Sequence, residues 1–138
     1  MLQNPIVNIK IKLAVLWASL MALYTYGDIF ELYVPGKVEK LIEGTAILDS
    51  PTKLFLASLW LAIPALMIAL SVFLTPKINR GINIIVGLLL TGGSILVTSQ
   101  SFYTWYSFYV FNGVLDILVT LSIVWCAWKW PTAKNVPD

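Results

Sequence analysis

Histidine is absent from this chain of 138 residues, and cysteine occurs only once, as Cys126. A single cysteine excludes an intramolecular disulfide and also a dithiol redox centre, because both need a cysteine pair. Without histidine, the chain also lacks the usual haem and metal ligands and the commonest acid–base catalyst. We therefore expect no metal and no cofactor.

Charged residues are also scarce, at 12% of the chain, whereas hydrophobic residues make up 59% and the mean hydropathy is +0.83. Soluble domains usually carry about 25% charged residues. The net charge of +2 provides no basic surface for a nucleic acid. The composition instead predicts a small integral membrane protein whose main partner is the lipid bilayer.

Four apolar stretches predict an all-α, four-helix transmembrane bundle that forms a single domain over residues 1–138. The predicted spans are residues 11–33, 52–74, 81–100 and 105–128. Pro51 suits the first turn of the second span, Pro64 predicts a kink within it, and Pro76 is expected to end it. Lys77 and Arg80 then fall in a tight turn. Short connections favour antiparallel neighbours, and self-association is expected of so small a bundle.

The basic residues predict the orientation of the bundle in the membrane. Six of them fall on one side of a four-span layout, namely Lys10, Lys12, Lys77, Arg80, Lys129 and Lys134. The other three, Lys37, Lys40 and Lys53, fall on the opposite side. This excess favours cytoplasmic termini in a bacterial inner membrane. Residues 37–48, on the outer side, are either an amphipathic segment on the membrane surface or an ordered loop.

Asp116 is the most unusual residue of the chain. It is the only charged residue between Gly81 and Trp128, and it lies near the middle of the fourth predicted span. A charge at the centre of a bilayer costs at least about 2.5–3.5 kcal/mol on insertion scales. A membrane protein that carries this residue must neutralise it, pair it or use it.

Polar residues form a stripe on the outer half of each of the first and fourth spans. The stripes consist of Tyr24, Asp28 and Glu31 in the first span and of Tyr109, Asn112 and Asp116 in the fourth. Spacings of three and four residues place the members of each stripe on one helix face. If the two spans are neighbours, Tyr24 and Asn112 lie between the two aspartates in depth.

Two interpretations of these stripes stay open. In the first, Asp116, Asn112, Asp28, Tyr24 and Tyr109 surround a cavity between spans one and four, which binds or transports a cation, a proton or a small polar or lipidic molecule. In the second, they form a structural hydrogen-bond cluster, and the protein is an accessory subunit of a membrane complex with no ligand of its own. Glu31 is the weakest candidate because it lies nearest the surface.

Catalysis is the least supported of the possible functions. The chain has no nucleophile–base pair, no glycine loop that would hold phosphate and no metal-ligand spacing. A membrane enzyme that uses Asp116 and Asp28 as acids on a lipid would be the only candidate of this class. We do not expect an enzyme.

Two further patterns each allow two interpretations. Small and polar residues share one face of the third span, at Asn83, Gly87, Thr91, Ser94 and Thr98. Such a face indicates close helix packing or, less often, the lining of a polar pathway. Aromatic residues crowd the outer end of the fourth span, at Phe102, Tyr103, Trp105, Tyr106, Phe108 and Tyr109. They are typical of an interfacial belt, and the alternative is a cation–π cage.

Several segments resemble a family of small bacterial four-span membrane proteins without an assigned activity. They are YGDIFELYVPGKVE at 26–39, LDSPTKLF at 48–55, LTPKINR at 74–80 and WCAWKWP at 125–131. A weaker resemblance, in size and number of spans, is to the DoxX-like group of four-helix membrane proteins. These resemblances imply a four-helix membrane bundle and assign no ligand or catalytic residue.

Overall fold

The computed structural model describes residues 6–132, so Lys134 of the charge pattern lies outside the described residues. Five α-helices and one 3₁₀ turn account for most of this part of the chain, and it contains no strand. The helices are α1 (Ile9–Glu31), α2 (Lys37–Ile42), α3 (Pro51–Phe73), α4 (Pro76–Ser99) and α5 (Ser107–Trp128), with the 3₁₀ turn at Thr104–Tyr106. The predicted all-α class is confirmed. The four longer helices are long and apolar enough to cross a membrane, as a multi-pass membrane protein requires.

Polar side chains and prolines set where the spanning helices begin. The Asn8 side chain accepts a hydrogen bond from the Lys10 backbone N–H at the start of α1, and Ser50 does the same for Lys53 at the start of α3. Asp49, which precedes Ser50, does not cap α3. It pairs instead with the Lys53 side chain, whose hydrogen bond holds the pKa of Asp49 below its ordinary value.

The connection between α3 and α4 is shorter than the sequence predicts. Only Leu74 and Thr75 separate the two helices, and Pro76 begins α4 instead of ending α3. Proline is favoured at the first helical position because the N–H that it lacks would have no partner there. Lys77 and Arg80 consequently lie in the first turns of α4, and the prediction that they occupy a turn is wrong.

The segment between α1 and α3 contains the short helix α2. Helix α1 ends at Glu31, two residues earlier than predicted, and Gly36 precedes α2 in a left-handed conformation with a φ of 77°. That conformation suits glycine because it has no Cβ. No residue of α2 is buried. Residues 37–42 thus match the surface-helix alternative, whereas residues 43–48 form turns and bends and match the loop alternative.

The spanning helices pack in the order α3, α1, α5 and α4. Helix α1 lies against both α3 and α5, and α5 lies against both α1 and α4. Adjacent spans run antiparallel because each connection returns the chain across the bundle. Helices α3 and α4 make few contacts, although only two residues connect them. We call the end that holds Ile9, the α3–α4 connection and Trp128 the termini end, and the opposite end, which holds α2 and residues 100–106, the loop end.

The half of the bundle at the termini end is densely packed. Its fully or almost fully buried apolar residues come from all four spans and are Leu13, Trp17, Leu20, Met67, Leu90, Ile123 and Ala127. Polar groups are buried among them. Trp17 Nε1 donates to Asn83 Oδ1 at 2.7 Å, and Asn79 Nδ2 donates to the Ser71 carbonyl oxygen at 2.6 Å. These bonds connect α4 to α1 and α3.

Charge is distributed unevenly between the two ends. At the termini end, Lys10 Nζ donates to the Val72 carbonyl oxygen and Arg80 donates to that of Trp128, so each cation meets the last turn of a helix. Such contacts satisfy carbonyls that lack a partner within the helix. Among residues 6–132, all the acids except Asp116 lie at the loop end, at Asp28, Glu31, Glu39, Glu43 and Asp49.

Candidate functional site

A cavity of about 190 Å³ lies in the half of the bundle at the loop end. All four spanning helices contribute to its wall, so it is not confined to spans one and four as the sequence suggested. Its lining residues are Leu23, Tyr24, Gly27 and Asp28 of α1, Trp60 and Leu61 of α3, Gly93, Ser94, Val97 and Thr98 of α4, and Tyr109, Asn112, Gly113 and Asp116 of α5. All five ligand-binding candidates from the sequence are therefore brought together.

Helix α5 supplies the carboxyl group at the inner end of the cavity. Tyr109, Asn112 and Asp116 follow one another at spacings of three and four residues and therefore share the helix face that is turned into the bundle. Only 9% of the Asp116 surface is exposed, and its Oδ1 atom has no hydrogen-bond partner. Since buried polar atoms in proteins are almost always paired, this carboxyl oxygen is an exception that needs an explanation.

Helix α1 forms the facing wall because it approaches α5 closely at Gly27. A Cβ atom at this position would lie 3.6 Å from the side-chain nitrogen of Asn112. The sequence-based condition that spans one and four be neighbours is thus met. Tyr24 is partly buried within the cavity, whereas Asp28 is exposed at its loop end. Asp28 consequently lies at the mouth and Asp116 at the inner end.

The ionisable side chains that line the cavity include acids but no lysine or arginine of the described chain. Among residues 6–132, two acids, Asp28 and Asp116, line the cavity, and no lysine or arginine does. The other polar side-chain groups of the wall are hydroxyls and one amide, which accept as well as donate hydrogen bonds, and the Trp60 indole N–H, which only donates. A positive charge inside this cavity would therefore meet an acid and several acceptors without a competing protein cation.

Most of the small and polar face of α4 packs against α5. A Cβ atom at Gly87 would lie 2.7 Å from the Val124 side chain, and the Thr91 hydroxyl donates to that of Thr120 at 2.8 Å. The predicted role in helix packing therefore holds for this part of the face. Ser94 and Thr98, nearer the loop end, line the cavity and so also match the alternative interpretation.

Glu31 does not line the cavity. Its carboxylate forms an ion pair with Lys37 and accepts a hydrogen bond from the Tyr106 hydroxyl at 3.5 Å. It therefore joins the end of α1 to α2 and to the segment before α5, which is a structural role. Of the six aromatic residues at the outer end of the fourth span, Tyr109 alone lines the cavity, and its ring packs edge-on against Tyr106 and Phe108.

Trp60 of α3 was not among the sequence candidates, although it forms part of the cavity wall. Its ring lies directly over Gly93 of α4, since a Cβ atom at Gly93 would be 2.7 Å from Trp60 Cζ2. The run of apolar residues in α3 gives no sign of which face is turned inward. The only available signal was the adjacent pair of glycines at Gly92 and Gly93, which marks a place where a large side chain can approach α4.

The cavity ends at the level of Tyr24 and Asp116. One turn further towards the termini end, Leu20, Leu90 and Thr120 are fully buried. The Thr120 hydroxyl donates a hydrogen bond to the Asp116 carbonyl oxygen at 2.9 Å. The polar space of the loop half therefore does not continue through the bundle.

Comparison with known proteins yields one match. The model of a family of unknown function, DUF6326, matches residues 6–136. No curated protein and no solved structure is matched. The matched range includes all four spans and the whole cavity wall, whereas the weaker resemblance to DoxX-like proteins stays a prediction.

Proposed function

The chain belongs to the DUF6326 family, whose function is unknown, and we propose that it is a membrane protein that binds a small organic cation, such as a protonated amine, in the cavity around Asp116. The observation that carries this proposal is the unpaired Asp116 Oδ1, which is buried beside an open space. An isolated carboxylate in a medium of low dielectric is costly, and a cationic partner offsets that cost.

The wall around Asp116 suits an ammonium group. Asn112 lies one turn from Asp116 on the same helix face, and its side-chain oxygen can accept one of the ammonium hydrogens. The rings of Tyr24 and Tyr109 line the same space, and an aromatic ring attracts a cation to its face. Because lysine and arginine are missing from the wall, the ligand is the source of positive charge.

The volume of the cavity limits the size of the ligand. An engineered protein cavity of about 150 Å³ accommodates benzene. The volume of about 190 Å³ found here therefore admits a group of similar or slightly larger size. A primary or secondary amine with a few carbon atoms satisfies both this limit and the charge.

Orientation decides the compartment from which the ligand comes. Five basic residues of the described chain lie at the termini end, at Lys10, Lys12, Lys77, Arg80 and Lys129, against three at the loop end. By the positive-inside rule, the termini are cytoplasmic and the cavity mouth at Asp28 faces the outside of a bacterial inner membrane. The packed half below Asp116 favours binding in a closed-ended site over conduction through an open pore.

Ethylammonium binding to the protein in lipid nanodiscs, followed by isothermal titration calorimetry, tests this proposal. Asp116→Asn keeps the shape of the side chain and removes its charge, so we expect at least a tenfold loss of affinity, or about 1.4 kcal/mol. The matched control is Asp49→Asn, which removes an exposed acid outside the cavity and should change the affinity less than twofold. Equal affinity in the parent and Asp116→Asn, or no binding by the parent, would refute the proposal.

A further inference from the structure

The cavity has two chemically different walls. On the side of α1 and α5, it presents Tyr24, Asp28, Asn112 and Asp116. On the side of α3 and α4, it presents the apolar side chains of Trp60, Leu61 and Val97 beside the hydroxyls of Ser94 and Thr98. The exposed fractions of Trp60, Leu61 and Val97 are 39%, 40% and 49%, respectively. The side of α1 and α5 therefore holds both carboxyl groups. Trp60, Leu61 and Val97, which we call the apolar wall, form a partly exposed strip on the opposite side.

The apolar wall coincides with the weakest interface of the bundle. Helices α3 and α4 are connected at the termini end through Leu74 and Thr75, yet they make few contacts with each other. Towards the loop end, the Trp60 ring spans the distance to α4 and lies on Gly93. The Trp60 side chain thus lies between the two helices at the level of the cavity.

We propose that the gap between α3 and α4 is a lateral opening to the bilayer, closed by Trp60, and that the ligand is an amphiphilic ammonium compound. Its head pairs with Asp116, and its apolar chain lies along Trp60, Leu61 and Val97 and extends into the lipid. This inference rests on the proposed function, because it names the class of cation that the same cavity binds.

The arrangement of polar groups explains how a charged head could reach the inner end of the cavity. Asp28 lies at the mouth, near the end of α1, and polar side chains continue through Tyr24 and Asn112 to Asp116. An ammonium head can move along these side chains from one acceptor to the next while its chain stays between α3 and α4. The ammonium charge then stays out of the hydrocarbon of the bilayer, where it would be costly. The alkyl chain of the ligand stays in contact with that hydrocarbon throughout.

The first experiment compares n-hexylammonium with ethylammonium, which carry the same charge on chains of different length. Binding to the protein in nanodiscs is measured by calorimetry, and partition into the lipid is subtracted with nanodiscs that contain no protein. We expect hexylammonium to bind at least tenfold more tightly. Trp60→Ala should weaken hexylammonium at least fivefold and change ethylammonium less than twofold, because only the longer chain reaches that wall.

Two neighbouring glycines provide a matched pair of variants. In Gly93→Ala, the new methyl group would collide with the Trp60 ring and displace it, whereas a Cβ atom at Gly92 has nothing within 4 Å. Gly93→Ala should therefore change the hexylammonium affinity at least threefold, and Gly92→Ala should leave it unchanged. The effect of both substitutions on helix propensity is the same, so the difference isolates the contact with Trp60.

A photoreactive diazirine at the end of the hexyl chain locates the opening directly. Crosslinks to residues 60–61 and 97 are the expected result, and crosslinks confined to residues 28–33 or 102–109 at the loop end would overturn the lateral opening. Equal responses of both amines to Trp60→Ala and Gly93→Ala would overturn it as well. If either result overturns the lateral opening, the proposed function is still supported when Asp116→Asn binds the amines more weakly than the parent. If Asp116→Asn binds them as tightly as the parent, the proposed function is refuted as well.

Discussion

Replacing Asn83 with alanine should destabilise the bundle through the loss of hydrogen bonds between helices. The Asn83 side chain accepts a hydrogen bond from Trp17 Nε1 of α1 at 2.7 Å and a longer one from Ser71 of α3 at 3.4 Å. It also donates to Asn79 Oδ1 at 2.6 Å. All four residues are fully buried, so no water is at hand to replace the lost partner.

The magnitude follows from the number and quality of these bonds. Hydrogen bonds between membrane helices contribute about 0.6 kcal/mol on average and up to about 1.7 kcal/mol. The Trp17 bond is short and fully buried and belongs near the upper value, whereas the Ser71 bond is close to the distance limit and adds little. Asn83→Ala should therefore destabilise the protein by about 2 kcal/mol, since it also leaves Trp17 Nε1 without a partner.

A double-mutant cycle isolates the bond between Trp17 and Asn83. Trp17→Phe removes the donor and keeps most of the ring, so the double variant should lose about 1 kcal/mol less than the sum of the single variants. The free energy of unfolding is measured by steric trapping in bicelles. Ser122→Ala is the control, because its exposed hydroxyl bonds only to Leu118 of the same helix, and it should change stability by less than about 0.5 kcal/mol. A coupling below about 0.3 kcal/mol would refute the reasoning.

Two further predictions concern packing and orientation. Gly113→Ala should destabilise the protein by about 1–3 kcal/mol through overpacking, since a Cβ atom there would collide with the Thr98 side chain, whereas Gly92→Ala meets no neighbour and should be tolerated in the same unfolding assay. In a Cys126→Ala background, Glu39→Cys places a thiol in the exposed helix α2, and a membrane-impermeant maleimide should label it in intact cells. Labelling only after the cells are broken open would show that the loop end is cytoplasmic.

The existence and approximate bounds of the spanning helices could be predicted from the sequence. A helix in a bilayer must satisfy its own backbone hydrogen bonds over about 20 apolar residues, so an apolar run of that length has few alternatives. The start of α4 was missed because Pro76 can either end one helix or begin the next. The same error placed Asn79 in a turn and hid its burial against α3.

The polar half of the cavity was also predictable. Residues four apart on one helix share a face, and a charged face in a membrane bundle turns away from lipid, which brought Asn112 and Asp116 together with Tyr24 of the facing helix. Trp60 could not be found in this way. In a membrane, lipid and protein interior are equally apolar, so the sequence of α3 carries no contrast that would identify its inward face.

The sequence by itself determined the class of this protein, its four spans, the unequal distribution of its basic residues and the one acid that cannot face lipid. These properties depend on composition and helical spacing, which act along the chain. Only the tertiary structure decided that α1 lies between α3 and α5, that α3 and α4 make few contacts with each other, and that Trp60 rests on Gly93. Those features depend on how side chains of different helices fit together, and such a fit exists only once the bundle has assembled.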